Sequence, residues 1–519
     1  MRRSSTTILA SVIVFMAAWW AFRPALEQPP TSDLFGHLCV TRHLAQGDGF
    51  VNDIVYPASL AFPFAADVPQ PLIHRPPGYA MLLLGPYLVS GGEPRSVLTA
   101  VRWFHLSLLV GCVVVGLLIL QRQRQTSALP AWLLLLFFSP GLYMSVAWCR
   151  VEIPVALILM LLWARWRSGF GFRGDVPTGP TGRSAVFDIV PIGVLDGVLA
   201  AMLCLLRGEL CWIPLIWWIA GRRHRARRAT CIAAGVGLLM LLPWGVRNLQ
   251  LTGNPVFSLQ AHTEHLKQTE AWPEYSIYRS LAPESFGATL IRQPELLLSK
   301  FRSGIRFYAT NLGAWLPWSL WIVCGGLVGR LWWEARRDGG QQRRENKTWW
   351  RTPGIWRAPL VLSLLTAGLL TIQYAVFSHT VRHLVVLLPI VLLEICLATA
   401  RWLESVPWVQ ARGRQSQLAV AAVLVILVLA TQLATPARLP GWVSTLTAAE
   451  QARPGLIRAV AAADSLPPGP IFTDSAALLW YSGRAGVWSP LNAAVIQEIR
   501  DRVPAMATAP VVEALSPVD

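Results

Sequence analysis

The stretch "TSDLFGHLCVTRHLAQGDGF", Thr31 to Phe50, decides how the fold is interpreted, because it brings a carboxylate close to an apolar run. The preceding residues 8–26 are mostly apolar and about as long as the roughly 20 residues that cross a bilayer. Asp33 follows this run after a short polar link. An acid at the edge of a membrane is unfavourable unless it is paired or hydrated, so Asp33 is the first candidate for a functional site.

The composition is that of an integral membrane protein. Of the 519 residues, 54% are hydrophobic, 14% are charged and 25 are Trp, which is unlike a soluble domain. The net charge of +17 would suggest a nucleic-acid partner in a soluble protein. Here Lys and Arg lie in short clusters between apolar runs, so they indicate membrane topology, and no nucleic-acid partner is expected.

Apolar segments of suitable length predict an all-α polytopic membrane protein with eleven spans. The first segment also resembles a signal peptide, because Arg2 and Arg3 precede an apolar run. No convincing small-residue cleavage site follows before Asp33, so we interpret this segment as a span. The predicted spans are 8–26, 97–120, 128–147, 151–166, 186–206, 208–221, 229–246, 311–331, 355–377, 381–400 and 416–435.

The basic clusters predict the orientation of the chain. With the N-terminus in the cytoplasm, the Arg-rich loops face the cytoplasm and the C-terminus lies in the periplasm. This topology requires that "PPGYAMLLLGPYLVSGG", Pro76 to Gly92, does not cross the membrane. Because this segment is short and opens with two prolines, we expect an interfacial or re-entrant helix. The excess of Arg over Lys favours the cytoplasmic (inner) membrane of a bacterium.

Three polar pieces lie on the predicted outer side. Two are loops, residues 27–96 and 248–310, which belong to a transmembrane core of residues 1–435. The third piece, residues 436–519, combines a helical pattern with a strand-like one. We therefore predict a small periplasmic α/β appendage at the C-terminus.

The eight Cys residues show no metal-ligand spacing, and most lie in apolar runs where a thiol behaves as a small hydrophobe. No zinc site and no disulfide framework is indicated. Cys39 and Cys149 fall on the same predicted side, and whether they pair is left open. The N-x-Ser/Thr sequon at Asn346 lies in a basic loop predicted to be cytoplasmic, so we interpret it as chance.

The informative polar residues converge on the predicted outer ends of the spans. A single Arg at a helix end commonly reaches to lipid headgroups. Several Arg residues that face outward oppose the positive-inside tendency, so together they indicate a site. The motifs are "HRPPGY" (His74 to Tyr79), "CRVEIP" (Cys149 to Pro154), "LRGEL" (Leu206 to Leu210), "PWGVRN" (Pro243 to Asn248) and "SHTVRH" (Ser378 to His383).

Arg side chains beside a carboxylate suit the recognition of an anion next to a group that accepts a proton. At a membrane surface the expected anion is the phosphate of a lipid carrier. The arginines would bind it and stabilise charge as it leaves, while the carboxylate deprotonates an incoming hydroxyl. A structural role for Asp33 as a helix cap stays open, since Ser32 and Asp33 are both good caps.

In order and topology these motifs resemble the GT-C superfamily of polytopic glycosyltransferases, near the branch of protein mannosyltransferases and bacterial aminoarabinose transferases. The resemblance rests on the acid after the first span, a helix ending in "LAQGDGF", and then "RPPGY", "RVE", "LRGE", "PWGVRN" with "TGNPV", and a late "RH". It covers about residues 1–400, and "YSGRAGVWSP" (Tyr481 to Pro490) is similar to the outer appendage of many bacterial members.

The resemblance implies that a sugar is transferred, with inversion, from a polyprenyl-phosphate donor to a lipid, glycan or protein acceptor on the outer face. It implies that Asp33 is the general base or orients the acceptor. Leu34 stands where the eukaryotic mannosyltransferases have Glu, and the chain lacks their late soluble domain, which disfavours protein mannosylation. We assign donor-phosphate binding to Arg75, Arg150, Arg207, Arg247 and Arg382, and supporting or acceptor roles to His37, His74, Tyr79, Glu152, Glu209, Asn248 and His383.

A single acid is a poor oxygen cage for a divalent ion, so no obligate metal or other cofactor is expected. The alternative function is that of a transporter or lipid flippase, which would need ionisable residues in mid-membrane and commonly inverted repeats. The predicted spans contain few polar residues, Asp196 being the main exception. A scaffold without chemistry would explain the Trp and Arg content but not the clustering of charges on one side.

Overall fold

The structure, a computed structural model, describes residues 32–137, 139–171, 184–220, 226–316, 320–330, 359–406 and 455–513, with the isolated residues 16, 20, 30 and 333. These residues form a bundle of helices with two small sheets beside it. The helices are α1 (Ser32–Gln46), α2 (Gly78–Val89), α3 (Pro94–Arg122), α4 (Leu129–Phe137), α5 (Pro140–Ala147), α6 (Glu152–Gly171), α7 (Ser184–Leu206), α8 (Trp212–Ala220), α9 (Ala226–Thr252), α10 (Leu259–Thr263), α11 (Phe286–Arg292), α12 (Pro294–Trp315), α13 (Leu320–Arg330), α14 (Pro359–Phe377), α15 (Leu388–Glu404), α16 (455–465), α17 (Ala476–Ser482) and α18 (Ala493–Arg502).

Helices cover the predicted spans that fall within the described residues, so the helical, polytopic class is confirmed. The number of eleven spans is not, because several helices are short; α8, for example, has nine residues. Helices α4 and α5, which meet at a bend of 60°, are each too short to be a span but together form one candidate, in addition to the four given below. The predicted span 416–435 lies outside the described residues, and of the predicted span 8–26 only residues 16 and 20 are described. Within the described part, four segments are long and apolar enough to cross a membrane: Pro94–Arg122, Ala229–Thr252, Pro359–Phe377 and Val381–Glu404.

The segment Val381–Glu404, which ends in α15, lies at the centre of the bundle, and 94% of its most apolar stretch is buried. Helix α9 is the opposite case, with 11% of its apolar stretch buried and with Leu238 and Leu239 exposed. An apolar face of this kind is unfavourable in water but suits contact with lipid tails. The bundle therefore combines a buried central helix with an apolar periphery.

Helix α2 follows two prolines and is 12 residues long. At 1.5 Å per residue it extends about 18 Å, which is shorter than the roughly 30 Å of a bilayer core. The predicted short helix is therefore present. It is fixed on both sides: a Cβ at Gly78 would lie 2.6 Å from the backbone of Leu205, and the Thr41 hydroxyl donates to the carbonyl oxygen of Ala80 at 3.0 Å.

The two sheets join segments that are far apart in sequence. Strands β1 (Val51–Asn52) and β3 (Gln70–Pro71) are antiparallel. A second sheet is parallel and contains β2 (Ile54–Val55), β4 (Ile471–Thr473), β5 (Gly486–Trp488) and β6 (Val511–Val512), in the spatial order β2–β5–β4–β6. It shows that the polar loop after α1 and the C-terminal segment 455–513 share one sheet; the predicted boundary between residues 435 and 436 lies outside the described residues.

Asp53 connects α1 to this parallel sheet. One carboxylate oxygen accepts a hydrogen bond from Arg42 Nη2 at 2.7 Å, and the other lies 2.9 Å from His43 Nε2. The Asp53 carbonyl oxygen accepts from the backbone N–H of Gly486 at 2.9 Å, and Arg42 also donates to the carbonyl oxygen of Trp480 at 3.3 Å. The last turns of α1 are therefore fastened to the C-terminal segment.

The expectation that Asp196 is the main ionisable residue inside the spans is wrong. Glu394, in the centre of Val381–Glu404, is 2% exposed. Its Oε1 accepts from Trp163 Nε1 at 2.7 Å and lies 3.1 Å from Arg167 Nε. Glu394 is compensated by groups on another helix, and sequence alone does not show such a partner.

The sequence indicated no disulfide framework, and the structure contains one disulfide that the spacing of the cysteines did not single out. Cys204 and Cys211 are bonded, and their Cα atoms lie 5.2 Å apart because the chain reverses direction between α7 and α8. The turn that they enclose contains Arg207. Cys39 and Cys149, whose pairing the sequence left open, are both buried and free.

Gly304 sets the distance between α12 and α14, because an added Cβ would collide with the carbonyl oxygen of Ala375. We expect Gly304→Ala to destabilise the protein by about 1–3 kcal/mol, the usual effect of overpacking, and to lower Tm in detergent. Gly368→Ala on α14 is the matched control, since nothing lies within 4 Å of its added Cβ and Ala favours a helix. Equal Tm values for the two variants would contradict the close packing of α12 and α14.

The contact between His43 and Asp53 predicts a dependence of stability on pH. The hydrogen bond to Asp53 raises the pKa of His43 against the effect of partial burial, and Asp48 adds to the rise. Because the folded-state pKa is raised, the stabilisation is complete below the unfolded value of about 6.5 and is lost as the pH rises through the folded-state pKa. As the pH rises from the unfolded value to the folded-state pKa of His43, Tm should therefore fall more steeply in the wild type than in His43→Gln. Parallel curves of Tm against pH would show that the contact between His43 and Asp53 does not stabilise the protein.

Candidate functional site

Asp33 lies in the first turn of α1, and two arginines from distant parts of the chain share its carboxylate. Its Oδ1 accepts from Arg75 Nη2 at 2.7 Å, and its Oδ2 accepts from Arg382 Nη1 at 3.0 Å. Arg75 directly precedes the prolines before α2, and Arg382 begins the segment that leads into α15. The Asp33 side chain is 29% exposed, so the carboxylate can be reached from outside. The structure thus brings three predicted site residues together.

Two side chains of α12 hold the turn that precedes Arg382. Lys300 Nζ donates to the carbonyl oxygen of Phe377 at 3.1 Å, and the Tyr308 hydroxyl donates to that of Ser378 at 2.9 Å. Burial lowers the pKa of Lys300 to about 7, and both its neutral and its charged form can still donate to a carbonyl. Helix α12 therefore fixes the backbone from which Arg382 reaches Asp33.

Arg207, in the turn between α7 and α8, is the centre of a second group. Its Nη2 donates to Glu152 Oε1 at 2.7 Å, while its Nη1 donates to Glu209 Oε1 at 3.0 Å and lies 2.7 Å from His383 Nδ1. The same Glu152 oxygen lies 3.8 Å from Arg382 Nε. The two groups therefore form one continuous network of charges.

Arg150 adjoins this network, yet among the described residues no carboxylate lies within ion-pair distance of it. Its guanidinium lies 4.1 Å from the centre of the Trp148 ring, and its Nε is buried without a hydrogen-bond partner. The preceding Cys149 has a φ of 49°, and its carbonyl oxygen accepts from the Tyr79 hydroxyl at 2.6 Å. Arg150 is thus held in place with unused donor capacity.

Four guanidinium groups and three carboxylates make up what is called the charged cluster below. One positive charge is left over, and an excess of this kind in a partly buried site favours an anionic ligand. The members of the charged cluster are Asp33, Arg75, Arg150, Glu152, Arg207, Glu209 and Arg382.

The surroundings keep Asp33 ionised and the nearby histidines neutral. Burial alone would raise the pKa of Asp33, but Arg75 and Arg382 outweigh it and hold the pKa well below its ordinary range. Burial, reinforced by Arg75, lowers the pKa of His37 to about 3 and that of His74 well below its ordinary value. The two histidines therefore add no positive charge near pH 7.

Six residues assigned from the sequence are not members of the charged cluster. His37 and His383 contact its arginines and His74 directly precedes Arg75, whereas Arg247, Asn248 and Tyr79 bind other groups. Arg247 donates to the carbonyl oxygens of Leu72 at 2.9 Å and Phe50 at 3.2 Å, and to Asn248 Oδ1 at 3.2 Å. These bonds fasten α9 to the loop that contains β1 and β3. Tyr79 is buried, and its hydroxyl donates to the carbonyl oxygen of Cys149 in the turn before Arg150. Arg247, Asn248 and Tyr79 thus hold the segments around the charged cluster in place.

Sequence analysis missed two groups beside the charged cluster. Tyr56 stacks on His74 with ring centroids 4.4 Å apart and meets Trp488 of β5 at 5.3 Å, which connects the C-terminal segment to this side of the site. Lys267 is 3% exposed and its Nζ lies 3.1 Å from Glu264 Oε2. Single Lys and Tyr residues in long polar loops carry no spacing signal that could have identified them.

Within the described residues, no group of three or more His, Cys, Asp or Glu side chains could hold a metal ion. Both oxygens of Asp33 already accept from arginines, and the positive surroundings disfavour a divalent cation. The arrangement suits an anion.

Comparison with solved structures identifies the fold. The crystal structure of ArnT from Cupriavidus metallidurans bound to undecaprenyl phosphate has a TM-score of 0.54 at 13% identity, covering 98% of this chain and 89% of that one. The oligosaccharyltransferase of Archaeoglobus fulgidus in its apo form has a TM-score of 0.53 at 10% identity, covering 93% of this chain and 65% of that one. No family model and no curated protein sequence matches this chain. This chain therefore shares the fold of these two GT-C glycosyltransferases, and the resemblance noted in the sequence is confirmed at the level of the fold.

Glu152 and Glu209 bind the same Arg207 guanidinium but differ in burial, with side chains 1% and 31% exposed. Removing one partner of a buried ion pair costs about 3–5 kcal/mol, whereas a more exposed pair contributes about 0–1 kcal/mol. We expect Glu152→Gln to lower Tm in detergent far more than Glu209→Gln. Shifts of similar size would show that Glu152 does not balance Arg207.

Proposed function

We propose that this protein is a membrane-embedded glycosyltransferase that transfers a sugar from a polyprenyl-phosphate donor to an acceptor hydroxyl at the charged cluster. The observation that carries this proposal is the excess of guanidinium groups around an ionised, accessible carboxylate at the end of an apolar bundle. Phosphate needs cations, a lipid carrier needs apolar surroundings, and a hydroxyl nucleophile needs a proton acceptor. The fold shared with ArnT, whose crystal structure holds undecaprenyl phosphate, supports the choice of carrier.

The arginines of the charged cluster are proposed to differ in their roles. Arg150 is the first contact for the donor phosphate, because it has no carboxylate partner in the described structure. Arg75 and Arg382 lie on either side of Asp33 and are 23% exposed, so they can contact a ligand there. Arg207 is 10% exposed and occupied by Glu152, which makes it a positioning residue.

The chemistry is proposed to be a single displacement with inversion. The acceptor oxygen forms a bond to the anomeric carbon as the bond from that carbon to the phosphate oxygen breaks. The phosphate keeps the bonding electron pair, and the arginines stabilise the added charge. Asp33 takes the proton of the acceptor hydroxyl. Because guanidinium groups supply the positive charge, we propose no obligate metal.

The distribution of Arg and Lys supports a site on the outer face of a bacterial cytoplasmic membrane, with the N-terminus in the cytoplasm and the C-terminus in the periplasm. We further propose a transmembrane core of residues 1–435 and a periplasmic appendage of residues 436–519. The acceptor is a lipid, a glycan or a protein. Leu34, which is 1% exposed in the apolar core, provides no second acid beside Asp33, and this favours an acceptor other than protein.

Asp33→Asn tests the proposal in proteoliposomes supplied with radiolabelled sugars linked to undecaprenyl phosphate. Loss of a general base lowers turnover by about 10²–10⁴-fold, so we expect glycosyl transfer to fall in this range. Asp67→Asn is the control, because Asp67 is an exposed acid of the same polar loop outside the charged cluster.

Two outcomes of this assay would contradict the proposal. Wild-type turnover by Asp33→Asn would remove Asp33 from catalysis. Movement of the labelled lipid across the bilayer without formation of a glycosidic bond would favour the transporter or flippase function over the glycosyltransferase.

A further inference from the structure

We propose that Arg75 and Arg382 change partners during the reaction: they bind the carboxylate of Asp33 in the free protein and pass to the donor phosphate when the donor arrives. The exchange frees Asp33 to act as the base only when a donor is present. This inference rests on the proposed function, because it takes a lipid-linked phosphate to be the ligand.

The contacts in the structure hold the base in an inactive state. Each oxygen of Asp33 accepts a charge-assisted hydrogen bond, at 2.7 Å from Arg75 and at 3.0 Å from Arg382. Bonds of this kind are about twice as strong as neutral ones and withdraw charge from the carboxylate. A general base works best when its pKa is near the operating pH. Arg75 and Arg382 instead hold the pKa of Asp33 well below its ordinary range. The carboxylate must therefore lose them before it can take a proton from a hydroxyl.

Arg75 and Arg382 are the members of the charged cluster best suited to move. Each side chain is 23% exposed, and the buried Nε of each has no hydrogen-bond partner, so neither guanidinium uses all of its donors in the free protein. Arg207 provides the contrast, since it is 10% exposed and bound to Glu152, Glu209 and His383. The phosphodiester of the donor presents two charged oxygens, as many as the carboxylate, so it can replace Asp33 as the partner of both arginines, and Arg150 attracts it to the same place.

The exchange changes the proton affinity of Asp33 in a defined direction. The carboxylate loses two cations and gains an anionic neighbour, and each change raises its pKa. The neighbouring histidines and tyrosines stay neutral near pH 7, and the charge of Arg150 is neutralised by the phosphate. The groups that interact electrostatically with Asp33 are His37, Tyr56, His74, Arg75, Tyr79, Arg150 and Arg382.

A complete cycle balances protons and charges. The acceptor hydroxyl gives its proton to Asp33 and its oxygen to the anomeric carbon, while the leaving lipid phosphate retains the electron pair of the broken bond. When the lipid phosphate departs, Arg75 and Arg382 return to Asp33, its pKa falls, and the proton passes to water. The donor must therefore bind before the acceptor hydroxyl can be activated.

The test measures the affinity of the full chain in lipid nanodiscs for methyl undecaprenyl phosphate, a phosphodiester like the donor that keeps one charge throughout the pH range used. In the wild type this ligand must displace Asp33 from its arginines. We therefore expect Asp33→Asn to bind it about tenfold more tightly, equivalent to about 1.4 kcal/mol. If Asp33 does not compete with the ligand for the arginines, Asp33→Asn leaves the Kd unchanged. If Asp33 has a purely structural role, Asp33→Asn weakens binding. Either result overturns the exchange.

Asp33→Asn would also bind the ligand more tightly if Asp33 simply repelled the phosphate. A double-mutant comparison separates this repulsion from the exchange of partners. In the exchange, the gain shrinks in an Arg75→Gln background, because one displaced arginine is already missing. It persists in an Arg150→Gln background, because Arg150 is not bound to Asp33. A gain of equal size in both backgrounds would indicate repulsion alone and overturn the inference.

Proton uptake provides a second measurement on the unmodified protein. Calorimetry near pH 5.5 in two buffers of different ionisation enthalpy should show that the wild type takes up protons on binding methyl undecaprenyl phosphate, whereas Asp33→Asn does not. Absence of this difference overturns the exchange. If the wild type binds neither this ligand nor undecaprenyl phosphate, the proposed function itself fails; if it binds them without tightening in Asp33→Asn, only the exchange fails.

Discussion

The structure depends on one electrostatic constraint: ionised side chains at the end of an apolar bundle must compensate one another. Arg382 shows how this is met, because it contacts Asp33 at 3.0 Å and lies 3.8 Å from Glu152, which in turn binds Arg207 at 2.7 Å. These residues come from four separate parts of the chain. Their mutual attraction in a poorly solvated setting therefore fixes the ends of α1, α6, α7 and the segment before α15 relative to one another.

Much of this arrangement could be predicted because charge is conspicuous in an apolar sequence. Asp33, Arg75, Arg150 and Arg382 stand out against their neighbours, and the constraint on charge at a membrane edge is enough to place them together. Arg247 satisfied the same criterion but binds backbone carbonyl oxygens of a loop instead. Every residue presents a carbonyl oxygen, so sequence cannot show which of them will serve as the partner of an arginine.

The parts that could not be predicted depend on contacts between distant segments. Glu394 looks like an isolated acid until Arg167 and Trp163 of α6 are placed beside it. Tyr56 and Trp488 carry no motif, and their contact arises only because β2 and β5 pair in one sheet. The number of eleven spans is not confirmed, because several apolar helices of the described residues are shorter than a span and hydropathy alone does not show whether such a helix crosses the membrane.

The pairing of β2 with β5 also has a consequence for biosynthesis. Ile54 lies opposite Gly486, and Arg42 binds the carbonyl oxygen of Trp480, 438 residues further along the chain. The ribosome delivers the residues around Arg42 and Asp53 long before their partners in the C-terminal segment, because Trp480 follows Arg42 by 438 residues. Until then α1 lacks the strand that fastens its last turns, so a nascent chain inserts its helices before this anchorage can form. Synthesis of the segment that contains β4 and β5 is thus the step that allows the assembly to close.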